Sequence, residues 1–137
     1  MKCTFFGSRD TLESTISSIK NAILKVIEFG VTDFYVGNNG NFDRLTQLAL
    51  SEIKQQYDIR IHILLSYINE TAISGLQELT EFPEGLECVP KRFAIYRRNS
   101  VMLQKSTYVI TNAHKSVGNS RAWLNRALSL GKKIIYI

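Results

Sequence analysis

The run Tyr35-Val36-Gly37-Asn38-Asn39-Gly40-Asn41-Phe42-Asp43 passes from apolar residues into glycines and asparagines, and then directly into a helical pattern. Glycine and asparagine adopt positive φ at low cost. A strand-to-helix turn built from them lets the backbone approach a ligand with its amide N–H groups pointing outward. The helix N-terminus behind such a turn adds partial positive charge. Phe5-Phe6-Gly7-Ser8-Arg9-Asp10 repeats the arrangement, and Gly118-Asn119-Ser120 repeats it more briefly. Three such turns in one chain point to a phosphorylated ligand, although none is a match to the Walker loop or to G-x-G-x-x-G.

Each turn offers specific chemistry. In the first, Gly7 would admit a phosphate, Ser8 would donate a hydrogen bond and Arg9 would pair with anionic oxygens. The alternative is a tight turn in which Asp10 caps the next helix. In the second, Gly37 and Gly40 shape the backbone, while the side-chain amides of Asn38, Asn39 and Asn41 suit a ribose or a base. Asp43 either accepts from a ribose hydroxyl or caps its helix. Gly118, Asn119 and Ser120 would cradle phosphate from a third side. Arg92 and Asn99 lie seven positions apart and share a helix face with Tyr96 between them. Arg92 reaches the site if that helix points its N-terminus there, and Arg97 and Arg98 are then expected to face solvent or a partner subunit.

Other reactive residues read as structural. His62 alternates with Ile61 and Ile63 in a strand, and His114 is expected to be solvated. Trp123 and Tyr136 are expected to pack, and Phe42 either stacks on a base or plugs the core. Glu84 and Glu87 share the long central connection with Glu70, Glu78 and Glu81, and nothing singles out a catalytic pair. Cys3 lies in an apolar strand and Cys88 in a loop. Two cysteines with distant histidines form neither a zinc pattern nor an expected disulfide. No metal and no cofactor is called for.

The elements that would position these residues alternate regularly. Lys2–Phe6 reads as a strand. Thr11–Phe29 reads as an amphipathic helix through Leu12, Ile16, Ile19, Ile23, Val26 and Ile27, with Gly30 as its stop. Asp33–Val36 is a second strand. Asp43–Tyr57 is a helix with Leu45, Leu48, Ala49 and Ile53 inward and Asp43 as its N-cap. Ile59–Tyr67 is a third strand, covered on both faces. Asn69–Val89 is a long connection with Gly75, Pro83 and Gly85, in which Thr71–Leu79 could form a short helix; such connections are often lids or binding loops. Lys91–Lys105 reads as a helix with Phe93, Tyr96, Val101 and Leu103, and Thr107–Thr111 as a strand. Arg121–Leu130 is a helix stopped by Gly131, and Lys133–Ile137 a final strand. This order predicts an α/β fold: a three-layer sandwich with a mainly parallel five-stranded sheet and helices on both faces. Ligands of such folds bind beyond the carboxyl ends of the strands, where all three turns fall.

The 137 residues predict one domain spanning 1–137. A hydrophobic fraction of 45% and a charged fraction of 21% are ordinary for a globular protein. No apolar run approaches the roughly 20 residues of a membrane span. Strand-like sequence begins at once, so no secretory leader and a cytoplasmic protein are expected. The net charge of +5 fits a phosphate-bearing ligand or nucleic acid. Its densest cluster is Lys91, Arg92, Arg97 and Arg98; without a basic tail or arm, nucleic acid is possible and not favoured.

Four segments carry a resemblance: Cys3-Thr4-Phe5-Phe6-Gly7-Ser8-Arg9-Asp10, Phe34 to Asp43, Pro83-Glu84-Gly85-Leu86-Glu87 and Pro90-Lys91-Arg92-Phe93-Ala94-Ile95. Together they resemble the YpsA-like branch of the SLOG superfamily, which joins the DprA/Smf proteins and the LOG phosphoribohydrolases. The resemblance covers essentially the whole chain. It implies a Rossmann-like fold, a nucleotide or ADP-ribose-like ligand, a bacterial or phage origin, and association as a homo-oligomer through helices beside the site. Two features depart from the family. Ser8 stands where many relatives in the branch have histidine. Ser116–Ala122 lacks both the diglycine and the glutamate of the LOG motif Pro-Gly-Gly-x-Gly-Thr, so LOG hydrolase chemistry lacks its acid/base residue. The expected function is therefore binding or sensing, without catalysis. The alternatives are a hydrolase of an N-glycosidic or phosphate bond, for which Asp10 or Asp43 would be the carboxylate, and a nucleic-acid or protein-binding module.

Overall fold

The structure is a computed structural model that describes residues 1–116 and 118–137. Val117, within the loop compared above with the LOG motif, lies outside the described residues. Among the described residues there are six strands: β1 (Lys2–Phe6), β2 (Asp33–Val36), β3 (Arg60–Leu64), β4 (Thr80–Glu81), β5 (Tyr108–Thr111) and β6 (Lys133–Tyr136). Among the same residues four α-helices connect the strands other than the β3–β4 pair: α1 (Ile16–Glu28), α2 (Gly40–Lys54), α3 (Ala94–Lys105) and α4 (Asn119–Ser129). All strand pairings are parallel, in the order β4-β3-β2-β1-β5-β6.

The two faces follow from the period-2 alternation of strand side chains. Cys3 and Phe5 of β1 and Phe34 and Val36 of β2 point to one side, where they meet Ile19, Ile23 and Val26 of α1 and Phe42, Leu45 and Leu50 of α2. Phe6 and Tyr35 point to the other, against Met102 and Leu103 of α3 and Trp123 and Ala127 of α4. The chain steps outward from β1 to β4 and then returns through α3 to place β5 beside β1. Right-handed crossovers in the two directions put the helix pairs on opposite faces. Strand order therefore reverses between β1 and β5, and a crevice opens above that point.

Three differences from the sequence reading have local causes. The sheet has a sixth strand, because Thr80 and Glu81 pair with Ile63 and Leu64 at the edge; two residues carry no periodicity to read. The helix read at Thr11–Phe29 begins only at Ile16, after a 3-10 turn at Glu13–Thr15. Thr11 is instead held in the preceding turn, its hydroxyl donating to the Ser8 carbonyl at 2.6 Å. The short helix considered at Thr71–Leu79 is reduced to a 3-10 turn at Gln77–Leu79. Leu76 and Leu79 of that connection pack on the α1/α2 core. No helix among the described residues is long and apolar enough to cross a membrane.

Candidate functional site

Above the β1/β5 reversal lies a cleft of about 1140 Å³. The turn after β1 supplies Gly7, Ser8, Arg9 and Asp10; the turn after β2 supplies Asn39, with Asp43 behind it; the start of α4 supplies Gly118, Asn119 and Ser120. Helix α3 contributes Ile95, Tyr96, Arg98, Asn99 and Met102, and α4 contributes Trp123 and Arg126. The three turns singled out in the sequence thus line one cleft.

The turn after β1 is fixed by distant segments. The Ser8 amide donates to Asn112 Oδ1 at 3.0 Å, and Asn112 Nδ2 donates to the Thr11 hydroxyl at 3.0 Å. The Asn41 amide donates to the Arg9 carbonyl at 2.9 Å, which joins this turn to the next. Asn112 was missed by the sequence reading; its signal was an asparagine directly following the β5 apolar run. Gly7 is required by packing: a Cβ there would meet the Phe42 ring at 2.1 Å. Phe42 is fully buried and serves as the core plug rather than as a stacking surface.

In the turn after β2, Gly40 has φ +82 and sits against the Arg9 backbone, a combination that suits glycine alone. The helix N-cap is Asn39, not Asp43. Asp43 lies in the first turn, where its Oδ2 accepts from the Asn39 amide at 2.9 Å, so it still satisfies a terminal donor, from inside the helix. Asn38 is buried and engaged internally: Nδ2 donates to the Thr71 carbonyl at 2.9 Å, and Oδ1 accepts from the Ile73 amide and from Gln47 Nε2. Neither Asn38, Gly37 nor Gly40 lines the cleft; they shape its wall.

Helix α3 departs most from expectation. Arg98, expected at the surface, is 2% exposed and lines the cleft floor. Its Nη1 donates to Ser66 Oγ at 3.0 Å, and its Nη2 donates to Asn99 Oδ1 at 2.9 Å. Arg92 is exposed, its guanidinium lies 4.9 Å over the Phe93 ring, and it does not line the cleft. The helical register linking Arg92 to Asn99 is broken because Lys91–Phe93 form a 3-10 turn and α3 starts at Ala94. Arg97 is exposed as expected. His114 is half-buried, edge-on to Tyr136 at 5.0 Å, rather than solvated.

The electrostatics of the floor centre on two buried, opposite charges. Burial pushes the Asp43 carboxyl up to about 6, against the pull of the Arg98 guanidinium and the Asn39 amide. Burial pushes Arg98 down, opposed by Asp43, Glu70 and Tyr67. Glu70 is itself held in the loop after β3, accepting from the Ser66 amide at 2.7 Å. The floor therefore sets a buried guanidinium close to a carboxyl whose protonated form is favoured by burial. No group of three or more potential metal ligands is assembled among the described residues.

No protein-family model matches the sequence, and no curated protein matches it. Among solved structures, the chain is similar to the X-ray structure of DNA processing protein A (DprA) from Streptococcus pneumoniae. The TM-score is 0.71 at 17% identity, over 97% of this chain and 48% of that one. The chain thus spans about half the length of DprA. The likeness defines the fold as an α/β Rossmann-like domain with an all-parallel sheet.

Proposed function

We propose that the chain is a binding module for a nucleotide or nucleotide-derived ligand of ADP-ribose-like chemistry, held at the carboxyl ends of the parallel strands. The observation that carries this reading is the convergence of three permissive turns on one cleft whose floor holds a buried arginine. Gly7, Ser8 and Arg9 would receive phosphate on one side and Gly118, Asn119 and Ser120 on the other. Asn39 and Asn99 would meet the ribose. Arg98 takes the cationic role first given to Arg92. The reading agrees with the YpsA-like resemblance and extends to a homo-oligomer associating beside the cleft. Catalysis is not part of it, since the LOG glutamate has no counterpart in the sequence.

Thermal unfolding against AMP, ADP, NAD, ADP-ribose and cyclic ADP-ribose tests it. A ligand at about 100 times its dissociation constant adds about 2.7 kcal/mol, which raises the midpoint of a domain of this size by roughly 5–10 °C. A shift with the ligand recovered intact supports the module. A shift with the ligand consumed points to a hydrolase, with Asp43 as the carboxylate to mutate first. No shift with any member overturns the reading.

A second reading, a nucleic-acid interface, is favoured by one specific observation, the structural likeness to a DNA processing protein. Single-stranded DNA binding that weakens steeply with salt would support it, and the absence of binding at low salt would remove it.

A further inference from the structure

One to two turns down α4 from Asn119, the cleft changes character. Trp123 stacks on Phe6 with ring centroids 5.5 Å apart and planes within 10°. Tyr96 lies 5.0 Å from Trp123, tilted by 47°. The Arg126 guanidinium is 5.6 Å from both the Tyr96 and Trp123 rings, and its Nη1 donates to the Tyr96 hydroxyl. All four residues line the cleft. Trp123 is 8% exposed, as a residue packed between helices should be, but Tyr96 is 53% exposed. A tyrosine serving only to clamp α3 to α4 would be buried; this one lines the cleft and leaves about half of its surface exposed.

We infer that Tyr96, backed by Trp123 and fixed by Arg126, is the platform on which a planar heteroaromatic ring of the ligand stacks, and so the residue that selects base-bearing ligands over base-free sugar phosphates. The inference rests on the nucleotide reading above and names the part of the ligand that reading leaves unplaced. Asn119 and Arg126 are seven helical residues apart, about 10 Å along the axis. That separation suits a ligand with an anionic group at the turns and a flat ring at the far end. The ring is already held by its neighbours, so little ordering is required when a base arrives. An aromatic face backed by a guanidinium attracts any base by its π-face, through stacking and cation–π contact, with little discrimination between bases.

The test compares AMP with ribose 5-phosphate, which keeps the sugar and phosphate and lacks the base. Trp123 is the only tryptophan in the chain, so its fluorescence reports directly on this end of the cleft, while calorimetry gives the affinities. The expected result is that AMP binds more tightly than ribose 5-phosphate and changes Trp123 emission, and ribose 5-phosphate does not change it. Tyr96→Ala should weaken AMP by about tenfold, within the range of base stacking on an aromatic ring, and leave ribose 5-phosphate affinity unchanged. Tyr96→Phe, which keeps the ring and loses the hydroxyl, should retain most of the AMP affinity. If AMP binds Tyr96→Ala as well as the native chain, or never alters Trp123 emission, the platform is refuted and the nucleotide reading stands. If neither AMP nor ribose 5-phosphate binds the native chain, the nucleotide reading fails and the platform fails with it.

Discussion

Asp43 and Arg98 meet across Gly37: a Cβ on that glycine would lie 2.8 Å from Asp43 Oδ2 and 3.0 Å from Arg98 Nη2. Two opposite charges from helices on opposite faces of the sheet are brought to one point at the end of β2. They share no direct ion pair among the described residues; Arg98 bonds to Ser66 and Asn99, and Asp43 to the Asn39 amide. The arginine is thereby held in place with a face toward the cleft.

Asp43 makes stability depend on pH in the sense opposite to most carboxylates. Its folded value of about 6 lies above the ordinary 3.8, so between those values the folded chain holds a proton that the unfolded chain has lost. The associated stability is fully present below pH 4 and is lost as pH rises through 6. That difference corresponds to about 3 kcal/mol. Denaturant unfolding of the native chain and of Asp43→Asn at pH 4 and pH 7 should show the native chain losing stability relative to the variant by that order. An unchanged difference would refute the assignment.

Asp33 behaves in the opposite way. It accepts from Arg60 Nε and Nη2 at 2.8 and 2.9 Å, from the Thr32 hydroxyl at 2.9 Å, and lies 3.0 Å from His62 Nε2. The Arg60 hydrogen bonds, chiefly, hold its carboxyl well below the usual range, against a smaller upward push from burial. That contribution is present above the unfolded value and fades only as acid protonates the folded group. Asp33→Ala should cost about 2 kcal/mol at pH 7, and the deficit should narrow only below about pH 4. A deficit that grows toward acid would contradict the pairing.

Gly7→Ala should damage the fold and not only the site. The added methyl meets the Phe42 ring at the heart of the α1/α2 core. Forcing a buried ring aside costs about 1–3 kcal/mol, readable as a lower denaturation midpoint with no ligand present. Native stability in this variant would mean that Phe42 has room to move.

Arg9 separates ligand binding from folding. It is exposed, lines the cleft and pairs with no carboxylate among the described residues. Arg9→Ala should leave the unfolding midpoint within about 0.5 kcal/mol of native and weaken nucleotide binding by about tenfold, the loss of one charge-assisted hydrogen bond. Asn39→Asp, which adds a negative charge to the same wall, should weaken it as well. If neither changes affinity by calorimetry, the ligand does not use this cleft.

Local pattern was sufficient for much of this architecture. Hydrophobic periodicity is a property of neighbouring residues, so the strands around Phe5, Phe34 and Ile61 and the helix bearing Ile19, Ile23 and Val26 could be read along the chain. The alternation of those elements implied the parallel sheet, and the sheet placed the Gly7, Asn39 and Gly118 turns at one end. What the chain alone did not decide was which polar groups are buried. Arg98 sits beside Arg97 in a basic stretch, and its burial depends on Ser66 and Asn99 as partners and on charges from Asp43 and Glu70. Asn112 matters because Ser8 lies 104 positions away in sequence and 3.0 Å away in space. Tyr96 and Trp123 become one surface only when α3 and α4 pack side by side. A buried charge is tolerated only where distant segments supply its partners, and that condition is met by the tertiary structure, not by any run of neighbouring residues.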